Sequence, residues 1–450
     1  MTPLLTFYGD DFTGSSAVME VLSFAGVPTM LFMEPPHTDI LSQYPELQAI
    51  GVAGIARSKD PAWMRANLPP VFEALKQFGA PVSHYKTCST FDSSPKVGSI
   101  GVATDVGARA FGGDWIPLVV GAPAIRRYQA FGTLFAGFGS ENHRLDRHPV
   151  MSRHPVTPMG EADLGRHLSK QTDLQVGVID LAAIKAGTAQ AALQRCLSEG
   201  AKILAIDVVD DETLAEAGRL TWQGGAGPVF TVGSQGVEYA LVAHWRAQGI
   251  IPAQHVPPTL HPVDQIFAVS GSCAPTTAEQ IDCAEAKGFK ILDFDAASAT
   301  DPQRLAAEVH RVRLASLALL SDGHDVLATT ARGPDDPSLV RMAEAIGKTS
   351  VSAGDVNDRL GAALGQLVSA IRQQTGLARV AIGGGDTSGH ALTALGAEAL
   401  SAVAPLAPGA PVCRLHTRAD ATIDGLEVTL KGGQMGEPDF FTQAKGGPQT

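Results

Sequence analysis

Short apolar runs alternate with segments of helical spacing along most of the chain, and the joins between them carry glycine or Ser/Thr/Asp clusters. Leu4 to Tyr8 is the first run, GDDFTGS is a turn, and Ala17, Val18, Val21, Leu22 and Ala25 then recur at helical spacing before Gly26. This predicts a strand, a tight turn and a helix stopped by glycine. Val27–Met33 supplies a second strand. Further strands are expected at Gln48–Val52, Val82–Lys86, Trp115–Val120, Val176–Asp180 and Lys202–Asp207. Helices are expected around Trp63–Phe78 and Thr188–Leu197, with Thr188 as an N-cap.

Ile251 to Asp264 breaks the rhythm with four prolines and little periodicity, and reads as a linker. The pattern then restarts with a strand at Gln265–Val269, the loop GSCAPTT and a helix ended by Gly288. Strand–glycine junctions follow around Gly383 and Gly432, and TQAKGGPQT closes the chain as a polar segment expected to fray. The expectation is an α/β protein of two domains with largely parallel sheets. Residues 1–250 form the first domain, 251–264 the linker, 265–441 the second domain and 442–450 a tail.

Composition narrows the class. At 450 residues the chain is too long for one ordinary core, and 44% hydrophobic with 18% charged residues is a globular balance. A net charge of −12 argues against nucleic acid or an anionic membrane as a general partner, since both demand a basic surface. Five cysteines without CxxC spacing read as reduced thiols, neither a disulfide framework nor a metal site. The opening residues lack a basic region and a long apolar core, and no run of 18 apolar residues occurs, so a cytoplasmic chain without signal peptide or membrane span is expected.

Five loops could carry chemistry. The turn Gly9-Asp10-Asp11-Phe12-Thr13-Gly14-Ser15 sits at a strand's carboxyl end, where open parallel sheets bind ligands. Asp11 and Thr13 could merely cap the helix, but paired carboxylates repel unless a cation or substrate shares them. The loop after Val82–Lys86 offers Lys86, Ser89, Thr90 and Asp92, able to hold a carboxylate and polyol hydroxyls or simply to form a polar turn. Glu141–His154 carries Arg144, Arg147 and Arg153 among three histidines, either a solvated basic loop or an anion contact. Gly383, Gly384 and Gly385 precede Asp386 and Thr387 where a strand enters a Ser/Thr-capped helix, an arrangement suited to phosphate. Ser270–Thr277, which contains Ser272, and Lys431–Gly436, which contains Gly433, make three glycine-bearing loops in one half. None reads GxxxxGK[ST] or GxGxxG, so neither a Walker nor a Rossmann label applies.

With these residues in view, the sequence resembles the four-carbon acid sugar kinase family over nearly its whole length. The hallmark DD-[LF]-TG is matched by YGDDFTGS, and YK-x-x-ST by Tyr85, Lys86, Ser89 and Thr90. GSCA, GGDTSG and KGGQMG match the family's GSCS, GGETSG and KSGxFG. The common second loop reads K-x-DSTLRGN, from which Cys88, Phe91, Asp92 and Ser93 depart, and the variant looks more like the branch acting on 3-oxo-isoapionate. The resemblance implies an amino-terminal sugar-acid domain, a carboxyl-terminal ATP domain and a reaction in the cleft between them.

It further implies ATP with Mg²⁺ held mainly by phosphates and water, with no dedicated protein metal site. Asp10 or Asp11 would act as base. Thr13, Lys86, Ser89, Thr90 and Asp92, with Arg144, Arg147 or Arg153, would bind the sugar acid. Ser272, Gly383, Gly384, Gly385, Asp386, Thr387 and Gly433 would hold the nucleotide. A dehydrogenase, an aldolase and a sugar-acid sensor are the rival readings; the first lacks GxGxxG, and a sensor has no use for three phosphate-friendly loops. The oligomeric state is open, a homodimer included.

Overall fold

The computed structural model describes residues 2–154, 156–222 and 228–446. It divides into two compact units, Met1–Val256 and Pro257–Thr450. No helix among the described residues is long and apolar enough to cross a membrane.

Among its described residues the first unit contains eleven strands, β1 (Leu5–Gly9), β2 (Thr29–Phe32), β3 (Ala49–Ala53), β4 (Val82–Lys86), β5 (Ile116–Val119), β6 (Arg127–Ala130), β7 (Thr133–Phe138), β8 (Glu141–Arg144), β9 (Val176–Ile179), β10 (Ile203–Ile206) and β11 (Val229–Gly233). Eight of them form a parallel sheet in the order β2-β3-β1-β4-β11-β5-β10-β9. β1, β2, β4 and β11 are buried at every position, as strands covered on both faces are. Between sheet and helices, Phe72, Phe111 and Phe230 pack ring against ring at 5.3–5.8 Å, and each such buried aromatic contributes roughly 1.5–3 kcal/mol.

Two local expectations change. Thr188 precedes the helix Ala189–Ser198 but forms no cap, because its hydroxyl donates back to the Ala183 carbonyl at 3.2 Å. The segment expected as a basic loop instead forms β8, the edge of an antiparallel sheet β6-β7-β8, followed by two single turns of 3₁₀ helix. The buried Asp207 fastens this small sheet to the larger one, since its carboxylate accepts from the N–H groups of Phe131, of Gly132 at 3.0 Å and of Leu181 at 2.9 Å.

The second unit contains β12 (Phe267–Ser270), β13 (Lys290–Asp293), β14 (Val326–Thr329), β15 (Arg379–Gly383), β16 (Ala399–Ala407), β17 (Ala410–His416) and β18 (Glu427–Lys431). The order is β13-β14-β12-β15-β18-β17-β16, parallel as far as β18 and antiparallel beyond. Arg379, 1% exposed, pairs with Glu427 and donates to the carbonyls of His261, Ala444 and Lys445 at 2.9–3.3 Å. Lys445 also pairs with Asp325 at 2.9 Å. The polar end of the chain is therefore tied down through Gly446, and residues 447–450 lie outside the described residues.

Both units use one winding scheme. The run β13-β14-β12-β15 repeats the order β2-β3-β1-β4: the chain leaves the first strand to one side and returns to its other side. The crevice at such a reversal, beyond the strands' carboxyl ends, is where open α/β sheets bind ligands. In the first unit it receives the loops after β1, β3 and β4, and in the second those after β12, β14 and β15.

Candidate active site

In the first unit the loop after β1 places Asp10 and Asp11 very differently. Asp11 caps the helix Phe12–Phe24 from an extended backbone, accepting from the Gly14 N–H at 2.7 Å, and its other oxygen pairs with Arg57 at 2.5 Å. Asp10 is 2% exposed, and its Oδ1 has no hydrogen-bond partner. Its backbone is clamped by Asp10 N–H to the Lys86 carbonyl and Arg57 N–H to the Asp10 carbonyl, both at 2.9 Å. Burial, then the neighbouring Asp11, push its carboxyl up to about 7, against the pull of Arg57 and Lys86. Behind it Tyr8 and Tyr85 stack at 5.9 Å, and burial pushes the Tyr8 phenol up to about 12. An unpartnered buried carboxyl that titrates near neutrality is what proton transfer calls for.

Lys86 ends β4 with its ammonium buried, donating to the Thr87 carbonyl at 2.6 Å. A Cβ on Gly14 would stand 2.5 Å from Asp11 Oδ1 and 2.8 Å from that Nζ, so a larger residue there would displace one of these two side chains. Downstream, Thr90 donates to Asp92 at 2.7 Å, and Arg57 reaches Asp92 at 3.2 Å. Burial works to raise Asp92, but Arg57 with the Thr90 and Cys88 hydrogen bonds outweighs it and leaves the carboxyl below its usual range. Phe91, between them, is fully buried with φ 54, a left-handed conformation uncommon for an aromatic residue. Thr13 lies in the first turn of the capped helix, and Ser89 is half-buried in the turn before Phe91.

The three arginines do not join this group. Arg144 is spent on Asp146, bonded through Nε at 2.7 Å, while Arg147 and Arg153 are exposed. Just beyond that segment, Thr157 donates to Asp92 at 3.3 Å, with His154 Nδ1 3.0 Å from the Thr157 hydroxyl. The cation that organises the site is Arg57, after β3. Its position beyond a strand end was visible in the sequence, but nothing local marked its partners. Arg57→Ala is expected to move the pH midpoint of turnover upward, because the charge that holds Asp10 down is lost; a pH–rate profile with kcat and KM separated checks it.

In the second unit the three glycine loops converge. The Gly271 N–H donates to the Gly383 carbonyl and the Gly384 N–H to the Lys431 carbonyl, each at 2.9 Å. Thr277 Oγ1 lies 3.0 Å from both Ser272 Oγ and the Gly433 carbonyl. Gly271 has room for no side chain, since a Cβ there would stand 2.3 Å from Thr387 Oγ1. The helix Gly385–Ala394 begins at Gly384, φ 118, with no side-chain cap, so the expected Ser/Thr cap is absent. Ser388 instead donates back to the Gly384 carbonyl at 2.7 Å, which leaves the first-turn N–H groups of Gly385, Asp386 and Thr387 open for an anion. The helix Pro275–Ala286 also lacks a side-chain cap. Lys431, 1% exposed, donates to Thr277 at 2.9 Å, and burial brings its ammonium down to about 8. Among the described residues, no group of three or more His, Cys, Asp or Glu side chains is placed to hold a metal ion.

Comparison with known proteins matches both halves. A family model described as a sugar-binding N-terminal domain covers residues 5–241, and one described as a nucleotide-binding C-terminal domain covers residues 267–441. A 3-oxo-isoapionate kinase of Paraburkholderia graminis is 45% identical over 444 residues, spanning 99% of this chain and 94% of that one. The chain belongs to the four-carbon acid sugar kinase family. Membership carries the reaction class, a kinase that transfers phosphate from ATP to a sugar acid. Family relatives also include a 3-oxo-tetronate kinase of Burkholderia multivorans, 30% identical over 98% of this chain and 96% of its own length. Another, of Methylobacterium radiotolerans, is 30% identical over 99% of each. Solved proteins of Salmonella typhimurium LT2 (TM-score 0.78, 23% identity, 99% of each chain) and Haemophilus influenzae (TM-score 0.74, 21% identity, 98% and 99%) share the fold.

Proposed function

We propose that this kinase acts on a branched, oxidised sugar acid of the 3-oxo-isoapionate type. The observation that carries the reading is the 45% identity to a kinase of that name, against 30% or less to the 3-oxo-tetronate kinases. The loop Cys88–Ser93 supports it, because it departs from the family's common sequence where the sugar acid would lie.

In this reading the substrate hydroxyl oxygen attacks the γ-phosphorus of ATP, the bond to the β,γ-bridging oxygen breaks, and ADP leaves. Asp10 accepts the hydroxyl proton, for which its unpartnered oxygen and raised pKa suit it. Asp11 is committed to the helix and to Arg57, and so positions its neighbour. Lys86 holds the substrate carboxylate, with Ser89, Thr90 and Thr13 facing hydroxyls, while Asp92 keeps Arg57 in place. Gly385, Asp386 and Thr387 cradle phosphate oxygens on their open backbone N–H groups, with Ser272 and Gly433 alongside, while Gly383 and Gly384 shape the turn.

Asp386, exposed in the first turn of the phosphate helix, is the carboxylate that would hold the Mg²⁺ accompanying the nucleotide. That ion would neutralise phosphate charge. Dependence on ATP fits a cytoplasmic enzyme. The test is ATP consumption across 3-oxo-isoapionate, 3-oxo-tetronates, threonates and erythronates. The branched acid is expected to give the highest kcat/KM; a higher value for a four-carbon acid would overturn the assignment.

A further inference from the structure

A cavity of about 650 Å³ opens beyond the carboxyl ends of β13 and β14, on the side of β12 away from β15. Its wall includes Phe294, Ala331 and Ala345, and its rim includes Asp293, Arg332 and Glu344. We infer that this cavity takes the base and ribose of the nucleotide, an inference that rests on the neighbouring glycine loops holding its phosphates.

Three observations join the cavity to those loops. The Thr330 N–H at its floor donates to the carbonyl of Ser270, where the Ser272 loop begins, at 3.0 Å. The loop bearing Ala331 and Arg332 leans on the helix Pro275–Ala286, so closely that a Cβ on Gly333 would stand 3.1 Å from Ala278. That helix starts in the phosphate site. Two strand spacings separate β14 from β15, about 10 Å, which suits phosphates at one end of a nucleotide and a base at the other. The topological counterpart of β14 is β3, whose following loop delivers Arg57 to the first unit's site.

The chemistry of the lining favours a neutral polar ligand over a second anion. Five carboxylates and five cations line the cavity, so it presents no net field for free phosphate or a sugar acid. Several are already paired, as Arg311 is with Glu308 at 2.6 Å and Arg332 with Glu285 at 2.9 Å. Carboxylates such as Glu344 offer acceptors to a ribose diol, and the guanidinium of Arg332 offers a flat face to a base. The volume lies within the range of about 300–1,000 Å³ usual for small-molecule sites.

Ala345, half-buried on the cavity side of the helix Pro337–Gly347, allows a filling test. Ala345→Trp is expected to weaken ADP binding about tenfold or more while leaving inorganic tripolyphosphate binding unchanged, because only the nucleoside is displaced. Unchanged ADP affinity overturns the subsite. Gly385→Val separates the two readings: it should weaken both ligands, and if it weakens neither, the phosphate cradle itself is wrong. Photolabelling of the unmodified protein with 8-azido-ADP decides independently of folding. Label within residues 293–304 or 329–349 supports the subsite, and label confined elsewhere overturns it.

Discussion

Asp10→Asn is expected to lower kcat about a hundredfold or more while ADP still binds with its normal affinity. The variant keeps the shape of the loop but cannot accept a proton, and the loops proposed to hold ADP are others. In the parent enzyme, turnover should rise with pH about a midpoint near 7, where the buried carboxyl loses its proton, and in Asp10→Asn that limb should vanish. Stability should move the opposite way. The folded pKa, about 7, is raised above the ordinary 3.8, so the folded state holds the proton more tightly and stability is lost as pH rises between those values. The asparagine escapes the cost of a buried charge, so the variant should melt higher than the parent at about pH 8 and lose that advantage towards about pH 4. A variant of normal turnover, or of parental melting at high pH, would contradict the proton-acceptor role.

Gly385→Val is expected to raise the KM for ATP about a hundredfold, equivalent to about 3 kcal/mol of lost binding. A Cβ at Gly385 would meet no atom within 4 Å, and its φ lies outside the left-handed region, so valine fits the folded protein and occupies only the space proposed for phosphate. Gly384 makes the contrast. There φ is 118 and a Cβ would stand 2.8 Å from Thr387 Oγ1, so even alanine should strain the loop and lower the melting temperature. A Gly385→Val enzyme that melts normally but no longer binds ADP separates ligand loss from misfolding.

The fold was largely legible in the sequence because parallel strands buried on both faces are mostly apolar and several end at glycine, as Leu5–Gly9 and Arg379–Gly383 do. The small antiparallel sheet was not: β6 and β8 are four residues each, half-exposed and rich in polar side chains, and gave no pattern above that of a loop. At the site, motifs on single loops were readable. Interactions between loops were not, which is why Arg57 was missed: its meaning appears only when β3 pairs with β1 and brings Asp11 within reach. Charge density misled at Arg144, where a carboxylate two residues on neutralises the cation. Lys431 stood in a recognised motif, but its burial follows from the strand's place inside the sheet.

Arg379 has a consequence for how the second unit is built. One guanidinium grips the incoming chain at His261 and the outgoing chain at Ala444 and Lys445. Entry and exit are thus fastened at one point, and loss of that single guanidinium would loosen both together.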